Sequence, residues 1–220
     1  MNSEKSILSV TFYDHTKKKD SLIDSECRRA CRALIVNNDH MLLTHLVQRN
    51  QLLTPGGGID LNESWKACIE RECREELGIS VLPVQPVALI REYYDGYLRF
   101  ANLYAACELV EEGFDPIQTE EETSLTLQPA YIPLRKTIEI LAATRPHAAS
   151  FELLPSYILR AIAHSPMRES YALAAFLGIP FDTVARHVHL NDQVRVSLEL
   201  IDSSHACRYI ENGGKSTSGN

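Results

Sequence analysis

No stretch of this chain reaches the roughly 20 consecutive apolar residues needed to span a bilayer. Its opening, MNSEKSILSVTFYDHTKKKD, has no basic segment followed by an unbroken apolar run, so it does not read as a secretory signal. These two absences lead to the expectation of a cytoplasmic location and no membrane partner. A basic excess is missing too. The 220 residues carry 22 Lys and Arg against 29 Asp and Glu, a formal net charge of −7. That balance argues against nucleic-acid binding through a broad positive field, while leaving room for a local phosphate site. The six cysteines form no CxxC pair and have no histidine partner at zinc-finger spacing, so no structural zinc is inferred. Reduced thiols packing as small hydrophobes are expected instead.

With 45% hydrophobic and 23% charged residues, the composition is that of a globular protein. The length suits one domain with an extension, or two small domains. Strands are expected at Ile7 to Tyr13, Ala30 to Val36 and Met41 to Val47, the last two joined by the turn Asn37-Asn38-Asp39. Val84 to Tyr94 and Tyr97 to Val110 read as long strands joined at Asp95-Gly96, a strong hairpin signal. A loop, EEGFDPIQTEEETS, leads to a short strand at Tyr131 to Leu134 and a helix from Thr137 to Ala143. Strands, a helix, more strands and a second helix make an α/β (α+β) pattern with mixed strand directions.

The most informative residues lie between the early and late strands. Pro55 and Gly56-Gly57-Gly58 form a loop in which backbone can approach a ligand closely. A helix follows, with Asp60 or Asn62 placed to cap its start and Gly78 to end it. At 3.6 residues per turn, Trp65, Ile69 and Cys73 share one face, flanked by Cys68 and Leu77. Glu72 and Glu76 fall close to that apolar face and Glu75 lies at its edge, so the acids point inward and can converge on one point. Clustered, desolvated carboxylates repel unless a cation compensates them, and hard divalent cations take oxygen ligands. Arg71, four residues before Glu75, can pair with it.

Gly57, Glu63, Arg71-Glu72, Glu75-Glu76, Gly78 and Ile79 resemble the Nudix box, G-x5-E-x7-R-E-U-x-E-E-x-G-U with U aliphatic. Only Cys73, at an aliphatic position, departs from it. The resemblance implies the Nudix fold, a mixed β-sheet between α-helices, over roughly residues 25 to 145, after an N-terminal extension of residues 1–25. It also implies Mg2+-dependent hydrolysis (with Mn2+ as a substitute) of the pyrophosphate bond in a nucleoside diphosphate linked to another group. Metal would sit on Glu72, Glu75, Glu76 and the Gly56 carbonyl, with Glu63 and Arg71 bracing the helix. The general base would be Glu75 or Glu76, or one of Glu120, Glu121 and Glu122, any of which could instead add a metal ligand; the resemblance does not say which of the three. A run such as Glu120 to Glu122 is ordinarily solvated, and that is the expectation for it. Arg91, Arg99 and Tyr97 are candidates to grip substrate, although packing is the commoner role for such tyrosines. Nothing in the motif selects among ADP-ribose, oxidised nucleotides, dinucleoside polyphosphates and sugar nucleotides.

Residues 144–150 read as a linker, residues 150–212 as a small, mostly helical domain, and residues 213–220 as a disordered tail. Leu153 to His164 is amphipathic. Ala174, Gly178 and Val184 have helix-turn-helix spacing, and Val194 to Ile201 with Ala206 to Ile210 could form the hairpin of a winged helix. This supports a rival function: a Nudix-like transcription regulator that senses a nucleotide such as ADP-ribose and binds DNA. Against it, residues 150 to 220 hold six Lys and Arg against seven Asp and Glu, with Arg186 the one arginine in the supposed recognition helix. A homodimerisation segment or a cover for the active site is the alternative.

Overall fold

A computed structural model describes residues 5–144, 154–187 and 194–212. Its strands are β1 (Ser6–Asp14), β2 (Arg28–Asn37), β3 (His40–Leu46), β4 (Gln51–Leu53), β5 (Ser80–Tyr94), β6 (Tyr97–Glu111), β7 (Leu127–Pro133) and β8 (Val194–Asp202). Its helices are α1 (Trp65–Leu77), α2 (Glu120–Leu125), α3 (Thr137–Ala143), α4 (Ser156–Ala163), α5 (Ser165–Leu177), α6 (Phe181–His187) and α7 (Ser203–Asn212). The strands make one mixed sheet in the order β4-β3-β2-β6-β5-β1-β8, with β7 paired to the far side of β3. β1 runs parallel to β5 and β2 parallel to β6, whereas β5 and β6 form an antiparallel hairpin.

Alternation along the strands sends side chains to two faces. Cys31, Ala33, Ile35, Leu89 and Leu103 bury one face under α1 and α7. Leu34, Met41, Ile90 and Tyr104 bury the other under α3, α5 and α6. The expected mixed sheet between helices is what forms.

The C-terminal region differs from expectation. β8 pairs antiparallel with β1 over its whole length, from Ser6 opposite Asp202 to Asp14 opposite Val194. Ala206 to Ile210, expected as a wing strand, lie in α7, whose Ala206 and Ile210 are fully buried in the core beside α1. Alternation and helical i, i+4 spacing both fit that short segment, and burial against α1 decides for the helix. No winged-helix hairpin forms between these two segments. The helix-turn-helix backbone does form, with Gly178 left-handed at φ 66 and Val184 of α6 buried in the core, as the spacing of these residues suggests. The side chain of Arg186, the expected linker at 145–150 and the tail at 213–220 lie outside the described residues. Among the described residues no helix is long and apolar enough to cross a membrane.

Candidate active site

The glycine loop lies along β2 almost as another strand. Ala33 N donates to Pro55 O at 2.8 Å and Cys31 N to Gly57 O at 3.0 Å. Gly56 has φ +132°, and a Cβ there would strike the Cys31 carbonyl. At Gly57 an added methyl would overlap the Glu72 carboxylate. Backbone is thus brought against an acidic side chain, which only glycine allows at this distance.

α1 starts at Ser64, whose hydroxyl accepts from Ala67 N, so neither Asp60 nor Asn62 is the cap. It ends at left-handed Gly78, as the sequence suggests. Trp65, Cys68, Ile69, Cys73 and Leu77 are buried, and Glu72, 8% exposed, is buried with them. Arg71 holds four groups together. It makes a two-pronged pair with Glu63 at 2.8 and 2.9 Å, and reaches Glu72 at 2.8 Å, Glu75 at 3.1 Å and the Gly58 carbonyl at 2.9 Å. Glu63 and Arg71 therefore brace the loop against the helix. Hydrogen bonds from Arg71 hold the Glu63 carboxyl below its ordinary range.

Glu76 accepts from Gly56 N and from Thr44 Oγ1, both at 3.2 Å. Burial raises its pKa to about 7, against the lowering influence of Arg32 and the Gly56 amide. Glu72 is also raised, again first by burial, with Arg71 opposing. Burial thus opposes ionisation of both carboxyls, and the two like charges oppose each other as well.

The third acid comes from the late loop. Phe114 N donates to Gly78 O and Ile117 N to Glu75 O, each at 3.0 Å, and Gln118 Nε2 reaches Glu76 O at 2.7 Å. Docked this way against the end of α1, the loop delivers α2. There Thr119 and Glu122 cap one another, the Glu122 carboxylate accepting from Thr119 N at 2.7 Å. Oxygens of Glu72, Glu76 and Glu122 then lie within 4.8 Å of one another. Glu122 is part-buried beside the two box acids, while Glu120 is exposed and the side chain of Glu121 is outside the described residues. Glu75, expected among the metal ligands, is not one of the convergent Glu72, Glu76 and Glu122, and it makes the ion pair with Arg71 that the spacing of the two suggests.

The residues expected to grip substrate sit elsewhere. Arg91 pairs with Glu199 of β8 at 2.8 Å and bonds Ser9 and Thr11. Arg99 stacks against Tyr97 and Tyr157. None of Arg91, Arg99 or Tyr97 belongs to the acid cluster or lines the cavity next to Arg32. That cavity, about 270 Å³, is lined by Arg28, Arg32, Arg49, Phe100 and Asn102 and closed by Ile158 of α4. Arg32 binds the Thr54 carbonyl at 3.1 Å, and its buried Nε has no hydrogen-bond partner. A signal for it was present: Arg28 and Arg32 fall on the same face of β2 as Ala30, Leu34 and Val36. A wider cleft of about 940 Å³ lies against Glu63 and α7, but none of Glu72, Glu76 and Glu122 lines it.

With loop, helix and acids in this arrangement, the comparison with protein families agrees: the chain belongs to the Nudix family, its residues 27–148 matching the NUDIX domain. Among solved structures it is similar to a NUDIX hydrolase from Nitrosomonas europaea, at 18% identity over 76% of this chain and 98% of that one, TM-score 0.48. It is similar also to an ADP-ribose pyrophosphatase from Streptococcus suis, at 21% identity over 70% and 92% of the two chains, TM-score 0.40. A third, a mutator MutT protein from Bacillus halodurans, shares 20% identity over 63% and 84%, TM-score 0.40. A comparison with curated proteins finds no match.

Proposed function

We propose that this chain is a magnesium-dependent pyrophosphohydrolase that splits a nucleoside diphosphate linked to another group. The observation that carries this reading is the convergence of Glu72, Glu76 and Glu122 within 4.8 Å in a partly buried setting. An all-oxygen donor set of this charge fits a hard divalent cation, and the raised Glu72 and Glu76 carboxyls support that reading, since a nearby cation would favour their charged forms. Glu72, Glu76 and Glu122 would hold the ion, with the Gly56 carbonyl as a further ligand. When bound, such an ion offsets charge on a diphosphate and makes water more acidic.

The chain's own residues supply the rest. Arg71 fixes Glu63, Glu72 and Glu75 so that the acids keep their spacing, the role outer partners play around metal ligands. Glu75 stands outside the convergent trio, with its side chain 37% accessible, and is our choice to accept the proton of the attacking water. Arg32 lies between the acids and the arginine-lined cavity, where it can meet a phosphate, and Phe100 offers a ring for a base. At about 270 Å³ the cavity falls just below the roughly 300 to 1,000 Å³ usual for ligand pockets, which suits part of a nucleotide.

Screening ADP-ribose, nucleoside triphosphates, dinucleoside polyphosphates and sugar nucleotides with Mg2+ tests the reading. Turnover of one class with release of a nucleotide is expected. No turnover of any, together with no metal binding, would overturn it and favour a nucleotide-sensing domain.

A further inference from the structure

Glu169 lies in α5, beyond residues 27–148 that match the family, and is fully buried among groups that lead straight to the glycine loop. Its Oε2 accepts from both Thr54 N, at 3.1 Å, and Thr54 Oγ1, at 2.8 Å. Its Oε1 accepts from Tyr104 OH at 3.0 Å, and Arg168 Nε lies 3.5 Å away. Arg168 in turn donates to Tyr104 OH at 3.1 Å and pairs with buried Glu92 at 2.7 Å. Gln51, in β4 just before Thr54, donates to Ser165 Oγ at 2.8 Å. Two carboxylates and one guanidinium thus sit in the interior, where apolar residues would cost less to bury.

We propose that Glu169 is a positioning residue for the metal site, acting through Thr54. Gripping the amide and the hydroxyl of one residue fixes both where its peptide lies and how it is turned. The Thr54 carbonyl, on the next peptide, holds Arg32 at 3.1 Å. Two residues further on, Gly56 N donates to Glu76. A single carboxylate in α5 therefore sets the loop that orients one proposed metal ligand and the arginine beside it. The C-terminal helices become part of the active site, not an appendage to it. The inference rests on the reading of Glu72, Glu76 and Glu122 as a metal site.

The test measures Mn2+ binding by calorimetry and, separately, metal-dependent turnover, in wild type, Glu169→Ala, Glu169→Gln, Thr54→Val and Tyr94→Phe. Tyr94 donates to Glu92 within the same network and touches neither Thr54 nor the acids, so its variant reports loss of buried bonding alone. Glu169→Gln keeps the length and an oxygen for Thr54 and should bind Mn2+ within about threefold of wild type, whereas Glu169→Ala should weaken it by about tenfold or more, the scale seen when outer partners of metal ligands are removed. Thr54→Val should fall between, and decides the matter if Glu169→Ala does not fold. Turnover should fall in kcat more than it rises in KM. A folded Glu169→Ala or Thr54→Val that binds Mn2+ as Tyr94→Phe does would overturn the proposal. Weakened binding without turnover in any protein would retain the positioning role and refute the hydrolase reading.

Discussion

Glu76→Gln in the metal-free protein should make the chain more stable at pH 8 and, by only about a quarter of that gain, at pH 5. Burial raises the Glu76 pKa from 4.5 to about 7. Between those values the unfolded chain has released a proton that the folded one still holds, so stability falls as pH rises through that window and stays low above it. At about 1.4 kcal/mol per pH unit the full interval corresponds to about 3 kcal/mol. Because the residue keeps some accessible surface, about 2 kcal/mol is the better expectation after screening. Glutamine removes the charge and keeps an acceptor for Gly56 N and Thr44 Oγ1. Urea unfolding with a chelator present, followed by fluorescence of the sole tryptophan, Trp65, reads the difference. Taking variant minus wild type at each pH cancels the other titrating groups. A gain of the same size at pH 5 and pH 8, or a loss at pH 8, would refute the account of Glu76 as a carboxylate held at a cost.

Three further outcomes follow from particular contacts. Gly57→Ala places a methyl against the Glu72 carboxylate and should weaken Mg2+ binding about tenfold while the fold survives, measured by calorimetry and circular dichroism. Arg71→Lys cannot reproduce the two-pronged pair with Glu63 together with the bonds to Glu72, Glu75 and Gly58, and should lower turnover by about a hundredfold; near-wild-type rates would show that the brace is dispensable. Ending the chain at residue 193 strips β8 from β1 and removes buried Ala206 and Ile210, the latter worth about 2 kcal/mol by burial alone. Cooperative unfolding should then be lost, whereas an unchanged urea transition would show residues 194–212 to be an independent appendage.

Features written in short stretches of sequence were legible. The Asp95-Gly96 turn, the apolar stripe of Trp65, Ile69 and Cys73, and the Gly78 stop each depend on neighbours within a turn or two, and each forms. The Nudix box brought Glu63, Arg71, Glu72 and Glu76 into view for the same reason. Glu122 was one of three equal candidates because its loop is docked by bonds to backbone carbonyls of α1, such as Ile117 N to Glu75 O and Gln118 Nε2 to Glu76 O, which no local pattern announces. Arg91 looked like a phosphate ligand because its partner, Glu199, is more than a hundred residues away on a strand whose pairing no local pattern announces. The wing was expected for the same reason: nothing near Val194 says that its partner strand begins at Ser6. Glu169 could not have been singled out, since one glutamate on a helix is ordinarily solvated until tertiary packing closes over it.

The central claim is that Glu72, Glu76 and Glu122 hold the cation that hydrolysis needs. Its most direct test is nucleotide release from a nucleoside diphosphate linked to a sugar, against Mg2+ concentration, for wild type and for the Glu72→Gln, Glu76→Gln and Glu122→Gln variants. The account predicts turnover that requires Mg2+ and falls by about a hundredfold in the first two variants and by at least tenfold in the third, with each variant folded. Turnover in wild type that survives all three substitutions at near-normal rate and Mg2+ dependence would contradict it.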